Sequence, residues 1–163
     1  MQRMFSPWRS KYIASFSEEP SSECILCKAY QQISENDDYV VTRGKCCYVV
    51  MNLYPYNSGH LMVVPYRHIS NFTDLTDDES LEIMSLLKKM SWALYEIVKP
   101  DGYNIGSNIG RSAGAGIDEH IHFHILPRWN GDTNFMPILA DTKLISEDIR
   151  ETLMKLRKVL SIK

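Results

Sequence analysis

The stretch His120-Ile121-His122-Phe123-His124-Ile125-Leu126 alternates imidazoles with apolar side chains. Successive side chains of a β-strand point to opposite faces. The alternation therefore predicts a strand over 120–127, with the three histidines on one face and Ile121, Phe123 and Ile125 entering a core. The chain has five histidines and places three of them here. A solvated edge strand is the plain reading of such a face. Two chemical readings compete with it: a three-histidine metal site, and nucleophilic work at phosphorus. A neutral imidazole is a good nucleophile near pH 7, because its ordinary pKa of about 6.5 leaves one ring nitrogen free. Attack requires the other nitrogen to be fixed, and a backbone carbonyl would do so without supplying a charge.

Upstream, residues 103–109 read as another strand, joined to the histidine strand by Gly110-Arg111-Ser112-Ala113-Gly114-Ala115-Gly116. That connection is rich in glycine, and its 114–116 end can offer amide N–H groups to a phosphate. Residues 39–42 and 46–51 are β-branched or aromatic runs around Arg43-Gly44-Lys45, which suits a hairpin. A third run, 61–64, follows Ser58-Gly59 and ends at Pro65. Between Thr76 and Lys99 the spacing turns helical, with Leu81, Met84, Leu87, Leu94 and Val98 on one broad face. Thr76 with Glu79 predicts a capping box, and Pro100-Asp101-Gly102 a stop. A last helix is expected from Ser146, a candidate N-cap, through Leu153, Leu156 and Leu160. The order strands, long helix, strands, closing helix predicts one α+β domain over 1–163. Its core is expected at about 20–135, with an extension at 1–19 and a helical tail at about 144–163.

The 163 residues fit a single core, and 44% apolar with 23% charged side chains is ordinary globular composition. A formal net charge of -2 offers no cationic excess for a nucleic-acid backbone, so a phosphate-bearing ligand must be held by local geometry. No segment reaches the roughly 20 apolar residues of a membrane helix, and residues 1–10 do not read as a signal peptide. A cytoplasmic protein without nucleic-acid or membrane partners is expected.

Four cysteines could form disulfides, yet Cys24 and Cys27 are close in sequence and Cys46 and Cys47 are adjacent. Cys24-Ile25-Leu26-Cys27 has the spacing that lets two thiolates reach one metal, which is half of a zinc site. A redox dithiol, or two core cysteines, are the alternatives. A redox pair would normally open a helix after a strand, and no such context is read here.

His120-x-His122-x-His124 flanked by apolar residues resembles the signature of the histidine-triad (HIT) superfamily. Asn52-Leu53-Tyr54-Pro55 and Gly59-His60 resemble the family's nucleoside-binding strand pair, so the likeness covers about 20–135. It implies a HIT-like fold, an antiparallel five-stranded meander with one long helix and a C-terminal helix, assembled as a homodimer. It further implies that His122 is a nucleophile forming a nucleotidyl-histidine and that His124 donates to a phosphoryl or leaving-group oxygen. By the same likeness His60 orients the pair, Asn52 meets ribose hydroxyls and Asn108 lies near the phosphate chain. In zinc-containing members, positions resembling Cys24, Cys27, His68 and His120 complete a tetrahedral site. The implied set is a structural zinc and no organic cofactor.

Further segments resemble bacterial HIT proteins of the diadenosine tetraphosphate phosphorylase type: Trp8-Arg9-x-x-Tyr12-Ile13, the run from Asn52 to Arg67, and Pro127-Arg128-Trp129-x-Gly131-Asp132-x-Asn134-Phe135. That likeness implies cleavage of an adenine dinucleotide by inorganic phosphate into ATP and ADP. Asn108, Ala115 and Gly116 then resemble phosphate-binding positions, and Trp129 an aromatic residue beside the site. Gly116 stands where the subgroup carries a serine, which keeps hydrolysis open, and Ser112 lies nearby in the loop. A phosphoramidase shares the same intermediate. A nucleotide sensor without turnover is the non-enzymatic alternative, but binding alone needs no nucleophile.

Overall fold

The computed structural model describes residues 24–31, 38–132 and 147–162. The N-terminal extension, Ser146 and the Asn134-Phe135 pair lie outside the described residues. Three strands come first, β1 (Val40–Arg43), β2 (Cys47–Met51) and β3 (Leu61–Pro65). They pair antiparallel, with Val49 opposite Val63 and Met51 opposite Leu61. Every residue of β2 and β3 is buried. This explains their unbroken apolar runs, because both faces of the sheet are covered there.

On one face Val49, Met51, Leu61, Val63 and Ile125 pack with Leu87, Met90 and Leu94 of the long helix α2 (Asp77–Val98) and Leu153 and Leu156 of α3 (Ile149–Ser161). On the other face Tyr48, Val50, Met62 and Val64 lie with Leu26 of a short helix, α1 (Ile25–Gln31). The five strands are ordered β1-β2-β3-β5-β4, with β4 over Gly102–Gly106 and β5 over Phe123–Arg128. The order departs from a simple meander at one end. Helix α2 carries the chain past the position next to β3, and β5 returns to fill it antiparallel to both neighbours.

Helix α2 starts with the expected capping box: Thr76 accepts from the Glu79 amide, and the Glu79 carboxylate accepts from the Thr76 amide. That carboxylate is buried and also takes two bonds of 2.7 Å from Arg67. The Arg67 hydrogen bond holds its pKa down to about 2. One turn later Glu82 accepts from the amides of Lys45, Cys46 and Cys47 in the β1–β2 turn, at 2.7, 2.5 and 2.7 Å. A Cβ at Gly44 would stand 2.6 Å from the Glu82 carboxylate, so this close approach requires glycine.

These two clasps orient α2 differently from the sequence expectation. Ile83, Leu86, Leu87, Met90, Ala93 and Leu94 are buried, whereas Leu81 and Met84 are 73% and 66% exposed. With Glu79 turned to Arg67 after β3 and Glu82 to the β1–β2 turn, the Leu81–Met84 side faces outward. Two further corrections concern helix starts. The N-cap of α3 is Asp148, whose carboxylate accepts from Arg150 and Glu151 amides, and not Ser146. The Cys24–Cys27 pair does open a helix, since Cys24 immediately precedes α1.

Candidate active site

The histidine stretch enters β5 only at Phe123. His120 and His122 lie in the extended approach, tied down by an Ile121 amide bond to the Ile69 carbonyl at 2.7 Å. Ile121 and Ile125 are buried as the alternation requires. Phe123 is half-buried against the α2 side of the core. His124 pairs across the sheet with Met62, whose side chain belongs to the face opposite α2. On that face a cavity of about 480 Å³ is lined by His122, His124, Asn52, Asn108 and Gly116. Ile25, Leu26 and Ala29 of α1, with Tyr39, Val50 and Met62, supply an apolar lining.

Hydrogen bonds assign the protons of each ring. His122 Nδ1 lies 2.8 Å from the His120 carbonyl, which can only accept, so Nδ1 carries the proton and Nε2 keeps its lone pair. The Ser107 hydroxyl donates to the His122 carbonyl at 2.7 Å and steadies the same turn of chain. Behind His124 lies His60, wholly buried. The Tyr56 amide donates to His60 Nδ1 at 3.1 Å and the Asn52 amide nitrogen stands 3.2 Å from it, so Nδ1 is an acceptor and Nε2 carries the proton. That proton faces His124 Nδ1 at 2.9 Å. His124 in turn must hold its own proton on Nε2. The two rings on the cavity thus have opposite roles, with a lone pair on His122 and a donor on His124.

Burial keeps this constellation neutral. Desolvation, then the neighbouring His124 and His122 rings, hold His60 down to about 3, and desolvation with His122 holds His124 down to about 4. Burial also lowers His122, opposed by its bond to the His120 carbonyl. Glycine at 59 permits the turn before His60. Its φ is +75°, and a Cβ there would meet Leu94 and Pro127 at 3.1 Å.

Cys24, Cys27, His68 and His120 form a second cluster, with one donor atom of each lying within 4.8 Å of all the others. His120 Nδ1 is 3.4 Å from Cys24 Sγ and 3.6 Å from Cys27 Sγ, and His68 Nδ1 is 3.4 Å from Cys27 Sγ. A tetrahedral zinc with ordinary bond lengths separates sulfur from nitrogen by about 3.6 Å, so the donor set fits that ion. His120 Nε2–H donates to the Pro65 carbonyl at 3.0 Å, which leaves Nδ1 free as the ligand. Burial first, and Cys24 beside it, push the Cys27 thiol up to about 11, a state that a dication would reverse.

The remaining expected residues divide. Asn52 lines the cavity while its amide already serves Tyr54 and His60. Asn108 and Gly116 line it as expected, but Gly114 and Ala115 do not. Their N–H groups bond to the Arg111 and Gly110 carbonyls, spent on closing the loop and not offered to a ligand. Trp129 is also absent from the lining. Its indole N–H donates to the Val98 carbonyl at 3.2 Å, at a separate hollow beside Asp132 and Glu151. Sequence reasoning overlooked Ser107, the Tyr56 amide and the whole α1 wall. Apolar Ile25, Leu26 and Ala29 beside the cysteine pair were the signal for that wall.

The family model described as "HIT domain" matches residues 33–131. A protein of Mycobacterium tuberculosis named AP-4-A phosphorylase is 43% identical over 157 residues, covering 93% of this chain and 80% of its own length. Among solved structures, a hypothetical histidine triad nucleotide-binding protein from Sulfolobus tokodaii superposes with a TM-score of 0.69 at 29% identity, covering 85% of this chain and 93% of that one. A Zn-bound histidine triad family protein from Mycobacterium smegmatis shares the fold with a TM-score of 0.68 at 24% identity, over 86% of this chain and 94% of that one. Two imidazoles set in opposite tautomers over one cavity, a sheet shared with these structures and a matching family model agree: the chain belongs to the HIT domain family.

Proposed function

We propose that the chain transfers the AMP portion of diadenosine tetraphosphate to inorganic phosphate, giving ATP and ADP. The observation that carries this reading is the His122 bond to the His120 carbonyl, which leaves Nε2 as an unprotonated nucleophile on the cavity. Nε2 attacks the α-phosphorus, a P–N bond forms, and the P–O bond to the departing ATP breaks. The His124 Nε2–H, set by His60, donates to the developing oxyanion or leaving oxygen. Phosphate oxygen then attacks the same phosphorus, the P–N pair returns to His122, and ADP leaves. The M. tuberculosis relative's name supports this substrate. The apolar end of the cavity suits a nucleobase, Asn52 a ribose, and Asn108 with Gly116 the phosphates.

Gly116 favours a second reading, hydrolysis of the same dinucleotide, because no hydroxyl at 116 helps to hold phosphate against water. The measurement that separates them is the product pair with and without added phosphate: ATP plus ADP for phosphorolysis, ATP plus AMP for hydrolysis. Quenching in alkaline denaturant, which spares the acid-labile P–N bond, is expected to trap AMP on His122 when dinucleotide is supplied without phosphate. Turnover with no adduct would remove the covalent route.

Cys24, Cys27, His68 and His120 are proposed to hold a structural zinc, which, when bound, ties α1 to the chain before β5. A closed four-ligand set leaves no open position for water. A homodimer is proposed through α2 and the edge strand β4. Leu81, Met84 and Tyr95 are exposed on the outer side of α2, and Ile105 is 52% exposed on β4. A cytoplasmic setting suits a thiolate metal centre, which stays reduced there.

A further inference from the structure

We propose that the Cys24–Cys27–His68–His120 centre positions α1 as a wall of the nucleotide cavity, so that metal occupancy sets nucleotide affinity more than turnover. The inference rests on the zinc and nucleotide readings above. Cys24 stands directly before α1 and Cys27 lies in its first turn. Ile25, Leu26, Lys28 and Ala29, from the same turns, line the cavity. Ile25 is 55% exposed, so core packing does not hold it against the opening.

The two walls of the cavity are anchored unequally. The nucleophile segment has three hydrogen bonds, two of which involve no side chain of the metal cluster. They are the Ile121 amide to Ile69, the Ser107 hydroxyl to the His122 carbonyl, and His120 Nε2–H to Pro65. Helix α1 is tied through side chains, by the Tyr48 hydroxyl on the Leu26 carbonyl at 2.6 Å and Arg43 on the Tyr30 carbonyl at 3.0 Å. Both of these ties reach α1 beyond Ile25. The two metal bonds from Cys24 and Cys27 would therefore add to the packing of buried Leu26 and fix the helix end that carries the exposed Ile25. Cys24 and Cys27 act here as positioning residues.

Coupling of two ligands through one protein is reciprocal, so zinc must tighten AMP by the factor by which AMP tightens zinc. The test titrates AMP into zinc-loaded and chelator-stripped protein, each checked for a cooperative thermal transition. It also measures zinc affinity by competition with a chromophoric chelator, with and without saturating AMP. We expect AMP to bind about tenfold more weakly to stripped protein, and zinc about tenfold more tightly with AMP present. Turnover at saturating dinucleotide should stay within about threefold, so that KM moves and kcat does not. Cys27→His, which keeps a metal ligand, should retain AMP affinity with zinc, and Cys27→Ser should lose it. A zinc affinity indifferent to AMP overturns the coupling, and that measurement needs only the loaded protein. Loaded protein that binds no AMP overturns the nucleotide reading beneath it.

Discussion

His120 and His122 are two residues apart on one extended segment, yet their rings end in opposite states. His120 gives its Nε2 proton to the Pro65 carbonyl and turns Nδ1 to the thiols. His122 gives its Nδ1 proton to the carbonyl of His120 itself and keeps the lone pair on Nε2. One residue thus serves both corners, its ring among the Cys24, Cys27 and His68 donors and its carbonyl on the His122 ring. The difference teaches that the role of a histidine is set by the acceptor its spare N–H finds, not by its place in a repeating pattern.

The sharpest way to break this comparison is to remove one ring at a time. His122→Ala should lower kcat by at least about four orders of magnitude with an unchanged melting transition, since the transferring nitrogen is gone while a buried ring is trimmed at a cavity wall. Purified variant with near-native turnover would end the nucleophile assignment. Cys24→Ala should do the reverse in kind. Metal analysis is expected to show zinc lost, and denaturant unfolding a stability lower by on the order of 3 kcal/mol. A full zinc complement in that variant would dissolve the metal corner.

Acid should separate the corners more gently. His60 and His124 are depressed to about 3 and about 4 in the fold, against about 6.5 in the unfolded chain. As pH falls below about 6.5 the unfolded state takes up protons that the folded state refuses. Stability is therefore full above that pH and drains away as pH drops toward the folded values. Each ring should cost on the order of 2 kcal/mol at pH 5. Urea unfolding of the protein and of His60→Gln across pH 7 to 5 checks this, with a smaller slope expected in the variant. Equal slopes would mean that His60 is not held neutral by the fold.

Much of this was legible before any coordinates. Strand alternation put His122 and His124 on one face, and the Thr76–Glu79 spacing announced the start of α2. The two-residue gap between cysteines pointed to half a set of donors, and His68 and His120 join them in space. What escaped had weaker local signals. Helix α1 has seven residues, too few for a repeating apolar face to show. Leu81 and Met84 are spaced as well for a helix face as Ile83 and Leu87 are, but their stripe runs on into Lys88 and Ser91 while the buried one stays apolar through Met90, Ala93 and Leu94. Trp129 is an aromatic side chain that a nucleotide site could have used, and the Val98 carbonyl claimed it. Gly114 and Ala115 looked available because a sequence does not reveal which amides a loop consumes on itself.

Glu82 also bears on the order in which this chain folds. Its carboxylate satisfies turn amides 35 to 37 positions earlier in sequence. The β1–β2 turn closes locally through the Gly44 amide on the Cys47 carbonyl, but its Lys45, Cys46 and Cys47 amides find their carboxylate acceptor only when the helix docks. Completion of the hairpin turn and docking of the helix are therefore expected to be coupled, which φ-values at Glu82 would test.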